Sequence, residues 1–173
     1  MGKRSAFERV PRDKYPTPEA AVLPLLPHLA PGTSFVEPCA GDGRLVRHLE
    51  KHGHRCFDMF DIEPDHEDVD KADALSTFVT AEPGDVCITN PPWDRNILHA
   101  LIEHWRVQMP TWLLFDADWA HTRQSGPFMP CCRAIVSIGR VKWIEDSKMT
   151  GKDNCCWYRF EATPGETRFY GRT

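Results

Sequence analysis

Short apolar runs alternate with longer amphipathic stretches along most of the chain, a pattern typical of βαβ units and of a mostly parallel sheet. The first predicted strands are Ser34–Glu37, Arg55–Asp61 and Asp85–Thr89, and a helix over Asp42–His52 separates the first two. The proline-rich segment Tyr15–Pro27 predicts a short helix that packs over the edge of the sheet.

The second half of the chain continues the same pattern. One face of a predicted helix is formed by Ile97, Leu98, Leu101, Ile102 and Trp105. Asp94 precedes this face and is the predicted N-cap. Thr111–Phe115 predicts the next strand, while Ala134–Ile138 and Cys156–Phe160 predict a closing pair of strands joined by the polar stretch 139–154.

Length and composition predict one domain. The 173 residues suit a single compact core, and 41% hydrophobic with 27% charged residues is an ordinary globular composition. No apolar run reaches the roughly 18 residues of a membrane span, and the charged N-terminus does not resemble a signal peptide. We therefore expect one domain over residues 1–173, cytoplasmic and without membrane association.

The seven cysteines do not suggest a disulfide framework in a chain of this class. Two adjacent pairs, Cys131-Cys132 and Cys155-Cys156, raise the alternative of a zinc site. Neighbouring residues rarely reach the same tetrahedral ion, and the sequence contains no Cys-x-x-Cys pair. We therefore expect buried thiols and no metal.

Charge is distributed unevenly around a net value of −4. Residues 58–85 contain ten acidic residues and one basic residue, whereas residues 1–14 contain five basic and two acidic residues. Residues 139–172 contain seven basic and five acidic residues. An acidic face with basic ends is compatible with approach to a phosphate backbone through those ends, and equally with an ordinary solvated acidic face.

A glycine-bearing turn, residues 37–43, lies directly between the first predicted strand and the following helix. Asp61 follows Gly41 by twenty residues and ends the second strand, where nucleotide-binding sheets hold a ribose. The turn lacks the Gly-x-Gly-x-x-Gly spacing of dinucleotide sites, and Glu37 and Asp42 would repel phosphates. Both acids suit a ligand with an ammonium and a sulfonium, which points to S-adenosylmethionine.

The order of these motifs resembles class I amino-methyltransferases, especially the small, phage-type DNA adenine-N6 methyltransferases. Glu37-Pro-x-x-Gly41-x-Gly43 resembles their cofactor motif. Asp61-Ile62 resembles their ribose-binding acid, and Asp73-Ala74 their motif near the cofactor's adenine. The resemblance implies a cofactor site formed by Tyr15, Thr17, Glu37, Pro38, Cys39, Ala40, Gly41, Gly43, Asp61, Ile62, Asp73, Ala74 and Asn90.

Two further segments carry the same resemblance. Tyr15-Pro16-Thr17-Pro18 resembles the segment that closes over the methionine end of the cofactor in that family. The four residues that resemble its catalytic motif are Asn90, Pro91, Pro92 and Trp93. The family usually has Tyr or Phe where this chain has Trp93, a change that preserves stacking and puts the size of the pocket in question.

The resemblance implies a single Rossmann-like α/β methyltransferase domain, with a mostly parallel seven-stranded sheet and a reversed C-terminal strand pair. It also implies methyl transfer to an exocyclic amino group, first of all N6 of adenine in DNA. Only 80 residues follow Trp93, so we expect no separate target-recognition domain and a short or relaxed recognition sequence.

The chemistry explains why this motif is needed. An exocyclic amino nitrogen is a poor nucleophile because its lone pair is delocalised into the ring. The Asn90 side-chain oxygen and the Pro91 carbonyl can accept its two hydrogens, and the prolines hold these acceptors in place. Trp93 offers a flat face for an extruded base.

The partner predicted from this chemistry is nucleic acid, DNA more than RNA, and a homodimer is compatible with the short chain. Candidate substrate contacts are Trp93, Arg140, Lys142 and Lys152, although a solvated hairpin would look the same. RNA, or a protein glutamine amide, is the alternative substrate. Glutamine methyltransferases carry a helical domain before the cofactor motif, and here 33 residues precede Ser34. A non-catalytic cofactor-binding subunit is the third alternative.

Overall fold

The computed structural model describes residues 14–144 and 150–172, and within these ranges eight strands form one sheet. In chain order the strands are β1 (Ser34–Glu37), β2 (Arg55–Asp61), β3 (Asp70–Lys71), β4 (Val86–Thr89), β5 (Thr111–Asp116), β6 (Cys132–Arg140), β7 (Asn154–Phe160) and β8 (Arg168–Tyr170). Their order across the sheet is β3-β2-β1-β4-β5-β7-β6-β8.

The sheet is mostly parallel, as predicted. Strands β3, β2, β1, β4 and β5 run parallel, whereas β7 is antiparallel to both of its neighbours, β5 and β6. The predicted closing pair is therefore present as β6 and β7. The sheet has eight strands instead of seven, because β8 adds to the free edge of β6 in parallel. Strands β3 and β8 have two and three mostly exposed residues, so no hydrophobic pattern marks them.

Three α-helices and four 3₁₀ segments surround this sheet in the described part of the chain. The α-helices are α1 (Glu19–Val22), α2 (Arg44–Lys51) and α3 (Arg95–Arg106). The 3₁₀ segments are Leu23–His28, Ala117–His121, Arg123–Ser125 and Met129–Cys131. The predicted cap of α3 is confirmed: an Asp94 carboxylate oxygen accepts hydrogen bonds from the backbone N–H groups of Asn96 at 3.0 Å and Ile97 at 3.3 Å.

Each face of the sheet is covered by a different set of helices, because side chains alternate between faces along a strand. Phe35 and Leu114 pack with α1 and α2 on one face. Val36 and Leu113 point to the other face, where α3 covers them. The result is a three-layer α/β/α arrangement. Four residues of the predicted apolar face of α3 are buried, namely Leu98, Leu101, Ile102 and Trp105, whereas the fifth, Ile97, is exposed.

The proline-rich segment lies on one face of the sheet, so the prediction that it packs over an edge is wrong. Its apolar residues Val22 and Leu25 pack in the same cluster as Trp112 and Trp157. The Trp157 indole N–H donates to the Ala21 carbonyl at 2.7 Å. The edge of the sheet is reached by His28, directly after this segment, whose ring lies 4.4 Å from that of Tyr170 on β8.

The structure also shows where the tryptophans and cysteines lie. Trp112, Trp119 and Trp157 are buried, as expected. All seven cysteines are free thiols, and five of them are buried. Burial raises the pKa of Cys132 and Cys155 to about 12, so these thiols are protonated at neutral pH. In the described part of the chain, no helix is both long enough and apolar enough to span a bilayer.

Candidate functional site

A cavity of about 470 Å³ opens where the carboxyl ends of β1, β2 and β4 meet. This is the edge at which open α/β sheets bind ligands, and the volume suits a small organic molecule. Of the thirteen residues that the resemblance implied for the cofactor, twelve line the cavity and Gly43 does not. Asn90 and Pro92 of the expected catalytic motif also line it, whereas Pro91 and Trp93 do not.

The glycine turn after β1 forms one wall of the cavity. Gly41 has a φ of +54°, and a Cβ atom at this position would meet nothing within 4 Å, so its backbone borders open space. Gly43 has a φ of +74° and lies beneath the side chains of Arg47 and Val69. Its left-handed backbone is the N-cap of α2, which is why the helix begins at Arg44 and not at the predicted Asp42.

Asp61 at the end of β2 holds this turn in place. Its side chain is 8% exposed, and its two carboxylate oxygens accept the backbone N–H groups of Gly41 at 2.9 Å and Glu63 at 2.8 Å. The Gly41 carbonyl accepts the N–H of Asp65 at 3.0 Å. Each carboxylate oxygen keeps a second lone pair, so Asp61 can still accept hydrogen bonds from a ligand.

Glu37 at the end of β1 is the most unusual charged group of the site. Its side chain is 1% exposed, and Oε2 is a buried atom without a hydrogen-bond partner among the described residues. Burial raises the pKa of this carboxyl well above its usual value, and the nearby Asp42 and Asp61 raise it further. A buried acceptor without a donor is rare in folded proteins and costs stability, so it marks a place where a ligand donor fits.

Asp42, unlike Glu37, has basic side chains beside it. Its carboxylate accepts the backbone N–H of Arg44 at 2.9 Å and lies 3.4 Å from the guanidinium of the same residue. Arg47 donates to the Asp42 backbone carbonyl at 2.8 Å. The Arg47 guanidinium also lies 4.0 Å from the Asp42 carboxylate, so two arginines partly neutralise this acid. Within residues 14–144 and 150–172, Glu37 has no basic partner.

Asn90 follows β4 and lines the same cavity as Glu37. Its Nδ2 donates to the Tyr15 carbonyl at 3.3 Å and to Thr17 Oγ1 at 3.2 Å. A carbonyl can only accept, so the amide nitrogen must face Tyr15 and the amide oxygen must face the other way. The side chain thus presents an acceptor on the side away from the segment that contains Tyr15 and Thr17.

Trp93 is held beside the cavity without lining it. Its indole N–H donates to the Leu114 carbonyl on β5 at 3.2 Å. Trp143, from the stretch after β6, meets Trp93 edge to face with ring centroids 5.9 Å apart. Tyr15 lies 6.4 Å from Trp143. The three rings form a cluster at the carboxyl edge of the sheet that the sequence did not predict.

The far end of the cavity is partly apolar. The Asp73 carboxylate accepts the backbone N–H of Leu75 at 2.9 Å, which shapes the turn around Ala74. Ile62 and Leu75 border this end and remain exposed, as does Ile97 on the first turn of α3. A flat apolar group such as a purine ring suits these side chains.

Several lining residues were not assigned to the site from the sequence, namely Lys14, Leu45, Asp65, Asp94, Ile97 and Leu101. Ile97 and Leu101 were recognised only as members of an apolar helix face. Lys14 forms an ion pair with Asp65 at 3.0 Å and donates to the Glu63 carbonyl. Nothing in the spacing of these residues along the chain indicates that pair.

The predicted substrate contacts lie at the same edge of the sheet. Strand β6 runs parallel to β5, so the stretch after it emerges beside Asn90 and Trp93. Arg140, Lys142 and Lys152 are exposed there. The basic residues of segment 1–13, the other predicted basic end, lie outside the described residues, as does Lys148.

Comparison with solved structures shows that methyltransferases share this fold. A dimethyladenosine transferase from Plasmodium falciparum is 14% identical, with a TM-score of 0.54. The alignment covers 87% of this chain and 62% of the transferase. The 23S rRNA methyltransferase ErmE is 18% identical, with a TM-score of 0.53, over 84% of this chain and 68% of ErmE. The type I restriction-modification methyltransferase subunit from Streptococcus thermophilus is 10% identical, with a TM-score of 0.58, over 91% of this chain and 47% of the subunit.

The expected Rossmann-like methyltransferase fold is thereby confirmed. The chain spans about half to two thirds of the length of these three proteins. No protein-family model and no curated protein sequence matches the chain. At such low identity the likeness concerns the fold, and the function has to be argued from the site itself.

The buried carboxyl of Glu37 predicts a pH-dependent effect on stability. Its folded pKa lies above the ordinary value of 4.5, so as pH rises the unfolded state loses this proton first. The ligand-free protein therefore loses stability as the pH rises from 4.5 to the pKa that Glu37 has in the folded state. Relative to wild type, Glu37→Gln should become more stable as pH rises through this window. Urea unfolding of both proteins at several pH values measures the difference, and a difference that does not vary with pH would contradict the burial argument.

Proposed function

We propose that this protein transfers a methyl group from S-adenosylmethionine to an exocyclic amino group of a nucleic-acid base, with N6 of adenine in DNA as the substrate. The observation that carries the proposal is the orientation of Asn90. Its amide nitrogen is occupied by Tyr15 and Thr17, which leaves its oxygen as an acceptor beside the cavity.

The residues of the cavity fit the cofactor. Glu37 Oε2 lacks a donor, and an α-ammonium group would supply one. Asp61 retains lone pairs for a pair of ribose hydroxyls, and Ile62, Leu75 and Ile97 offer apolar contacts for an adenine ring. The open space beside Gly41 lets the backbone approach the ligand closely. When bound, the cofactor supplies an electrophilic methyl group on a sulfonium.

The protein's own residues prepare the nucleophile. The Asn90 oxygen accepts one hydrogen of the amino group and increases the availability of its lone pair. The motif resemblance implies the Pro91 carbonyl as the acceptor of the second hydrogen, although Pro91 itself does not line the cavity. Methyl transfer to this nitrogen would break the bond between the methyl carbon and sulfur, and the nitrogen would release one of its protons to water. Asn90 has no basic function near neutral pH, so it contributes orientation and electrostatics.

Adenine N6 in DNA is the substrate that the motif resemblance favours, and adenine in RNA is the alternative. The names of two structural neighbours, a dimethyladenosine transferase and a 23S rRNA methyltransferase, support the alternative. An unpaired adenine offers the same amino group in either polymer. Exposed Lys142 and the neighbouring Trp143 lie close to Trp93, so a single strand or an extruded base has charge and aromatic surface nearby.

The direct test uses S-adenosylmethionine labelled in its methyl group. The protein is incubated with DNA, RNA and protein pools in separate reactions, and the labelled polymer is digested to its monomers. Labelled N6-methyladenosine or its deoxy form supports the proposal and identifies the polymer. Label on a ring carbon or on an amino acid would contradict the proposed acceptor.

Replacing Asn90 separates catalysis from cofactor binding. We expect Asn90→Ala to abolish methyl transfer, because the amino group loses its side-chain acceptor. Cofactor affinity should stay near that of wild type, since the acceptor oxygen serves the substrate. Calorimetric titration alongside a turnover assay measures both quantities. A parallel loss of binding and turnover would argue against this assignment.

Replacing Asp61 tests the ribose site. We expect Asp61→Ala to weaken cofactor binding by about 1.5–3 kcal/mol, the size of a hydrogen bond to a charged group. The variant also loses the anchors of Gly41 and Glu63, so thermal unfolding of the ligand-free protein should be followed in parallel. An unchanged dissociation constant in a folded variant would place the ribose elsewhere.

The basic residues beside the aromatic cluster predict how nucleic-acid binding depends on salt concentration. If Lys142 and Lys152 contact phosphates, Lys142→Ala and Lys152→Ala should weaken binding to all duplexes equally. Each should also reduce the log–log salt slope by about one unit. Lys71→Ala is the matched control, because Lys71 is exposed on β3 at the opposite edge of the sheet.

Binding isotherms on two unrelated duplexes at several salt concentrations decide the matter. Slopes identical to wild type in both variants would leave Lys142 and Lys152 without a phosphate contact. A loss confined to one of the two duplexes would instead indicate sequence reading by this stretch.

A further inference from the structure

The upstream segment, defined here as residues 14–17, crosses the mouth of the cavity and is attached at both ends. At one end Lys14 pairs with Asp65 in the turn after β2 at 3.0 Å. At the other end Tyr15 and Thr17 accept both hydrogen bonds of the Asn90 amide. Thr17 is 4% exposed, so its hydroxyl meets Asn90 away from bulk water.

The two acceptors have different effects on the amide. The Tyr15 carbonyl selects which end of the amide faces the segment, because a carbonyl cannot donate to the amide oxygen. The Thr17 hydroxyl takes the second hydrogen of Nδ2 and so limits rotation about the last side-chain bond of Asn90. A terminal amide has a broad rotational preference of its own, so it relies on such contacts for a fixed orientation.

We infer that Thr17 is a positioning residue for Asn90: its hydroxyl fixes the amide plane so that the side-chain oxygen lies where the substrate's amino hydrogen will be. This inference rests on the proposed function, because the acceptor matters only if an amino group is presented to it. It assigns part of the catalytic effect to a residue 73 positions away in the chain that belongs to the segment over the cavity.

Substituting Thr17 isolates the hydroxyl. Thr17→Val keeps the branched shape and removes the acceptor, whereas Thr17→Ser keeps the acceptor. We expect Thr17→Val to lower kcat about 10-fold to 100-fold, the cost of a misplaced reacting group, with substrate KM and the cofactor dissociation constant within about twofold of wild type. Thr17→Ser should restore most of kcat.

A matched control removes another buried threonine hydroxyl. Thr33 is buried before β1, at the amino-terminal edge of the sheet, and its hydroxyl donates to the Ala30 carbonyl at 2.6 Å. Thr33→Val should lower stability and leave kcat unchanged. Thermal unfolding of all variants shows whether loss of stability alone explains a change in turnover.

A second readout does not depend on activity. In a two-dimensional ¹H–¹⁵N spectrum, the pair of side-chain amide signals that disappears in Asn90→Ala belongs to Asn90. In Thr17→Val this pair should shift or broaden, and in Thr17→Ser and Thr33→Val it should keep its wild-type position.

The outcomes separate the inference from the function on which it rests. Unchanged kcat and unchanged Asn90 signals in Thr17→Val would overturn the positioning role. A loss of cofactor affinity parallel to the loss of kcat would overturn it too, because Thr17 would then act through the cofactor. A wild-type protein that methylates no amino acceptor would overturn the proposed function, while the spectrum would still report whether Thr17 orients Asn90.

Discussion

The Asp61 carboxylate accepts the N–H of Gly41 through one oxygen and the N–H of Glu63 through the other. These two bonds join the turn after β1 to the turn after β2, and the Ala40 N–H adds a third link to the Phe60 carbonyl. The wall of the cavity, the left-handed turn that starts α2 and the attachment point of Lys14 all depend on this junction. The side chain predicted to bind a ligand is therefore also the one that shapes its site.

Much of the fold followed from hydrophobic periodicity. The bounds predicted for β1 and β2 coincide with those of the structure. The apolar face of α3 is buried as expected except for Ile97, which lines the cavity. Periodicity failed where an element is too short or too exposed to have a pattern, as for β3 and β8. It also could not show on which part of the sheet the segment with Val22 and Leu25 packs, because an apolar side chain does not specify its partner.

For the site, local sequence was informative about strand ends and uninformative about partners. Glu37 and Asp61 end β1 and β2, Asn90 directly follows β4, and parallel topology brings such positions to one edge of the sheet. The pairing of Lys14 with Asp65 and the aromatic cluster around Trp143 join segments far apart in the chain, so no spacing rule reveals them. The missing partner of Glu37 is likewise a property of the folded environment, visible only when every neighbouring donor is in place.

The position of β7 has a consequence for synthesis of the chain. It follows β5 and β6 in sequence but lies between them in the sheet. Trp157 on β7 also closes the packing against α1, near the other end of the chain. A nascent chain that ends before Phe160 therefore exposes the unpaired edge of β5 and an incomplete core. On the ribosome, β5 therefore gains its second native neighbour only after β7 has been synthesised.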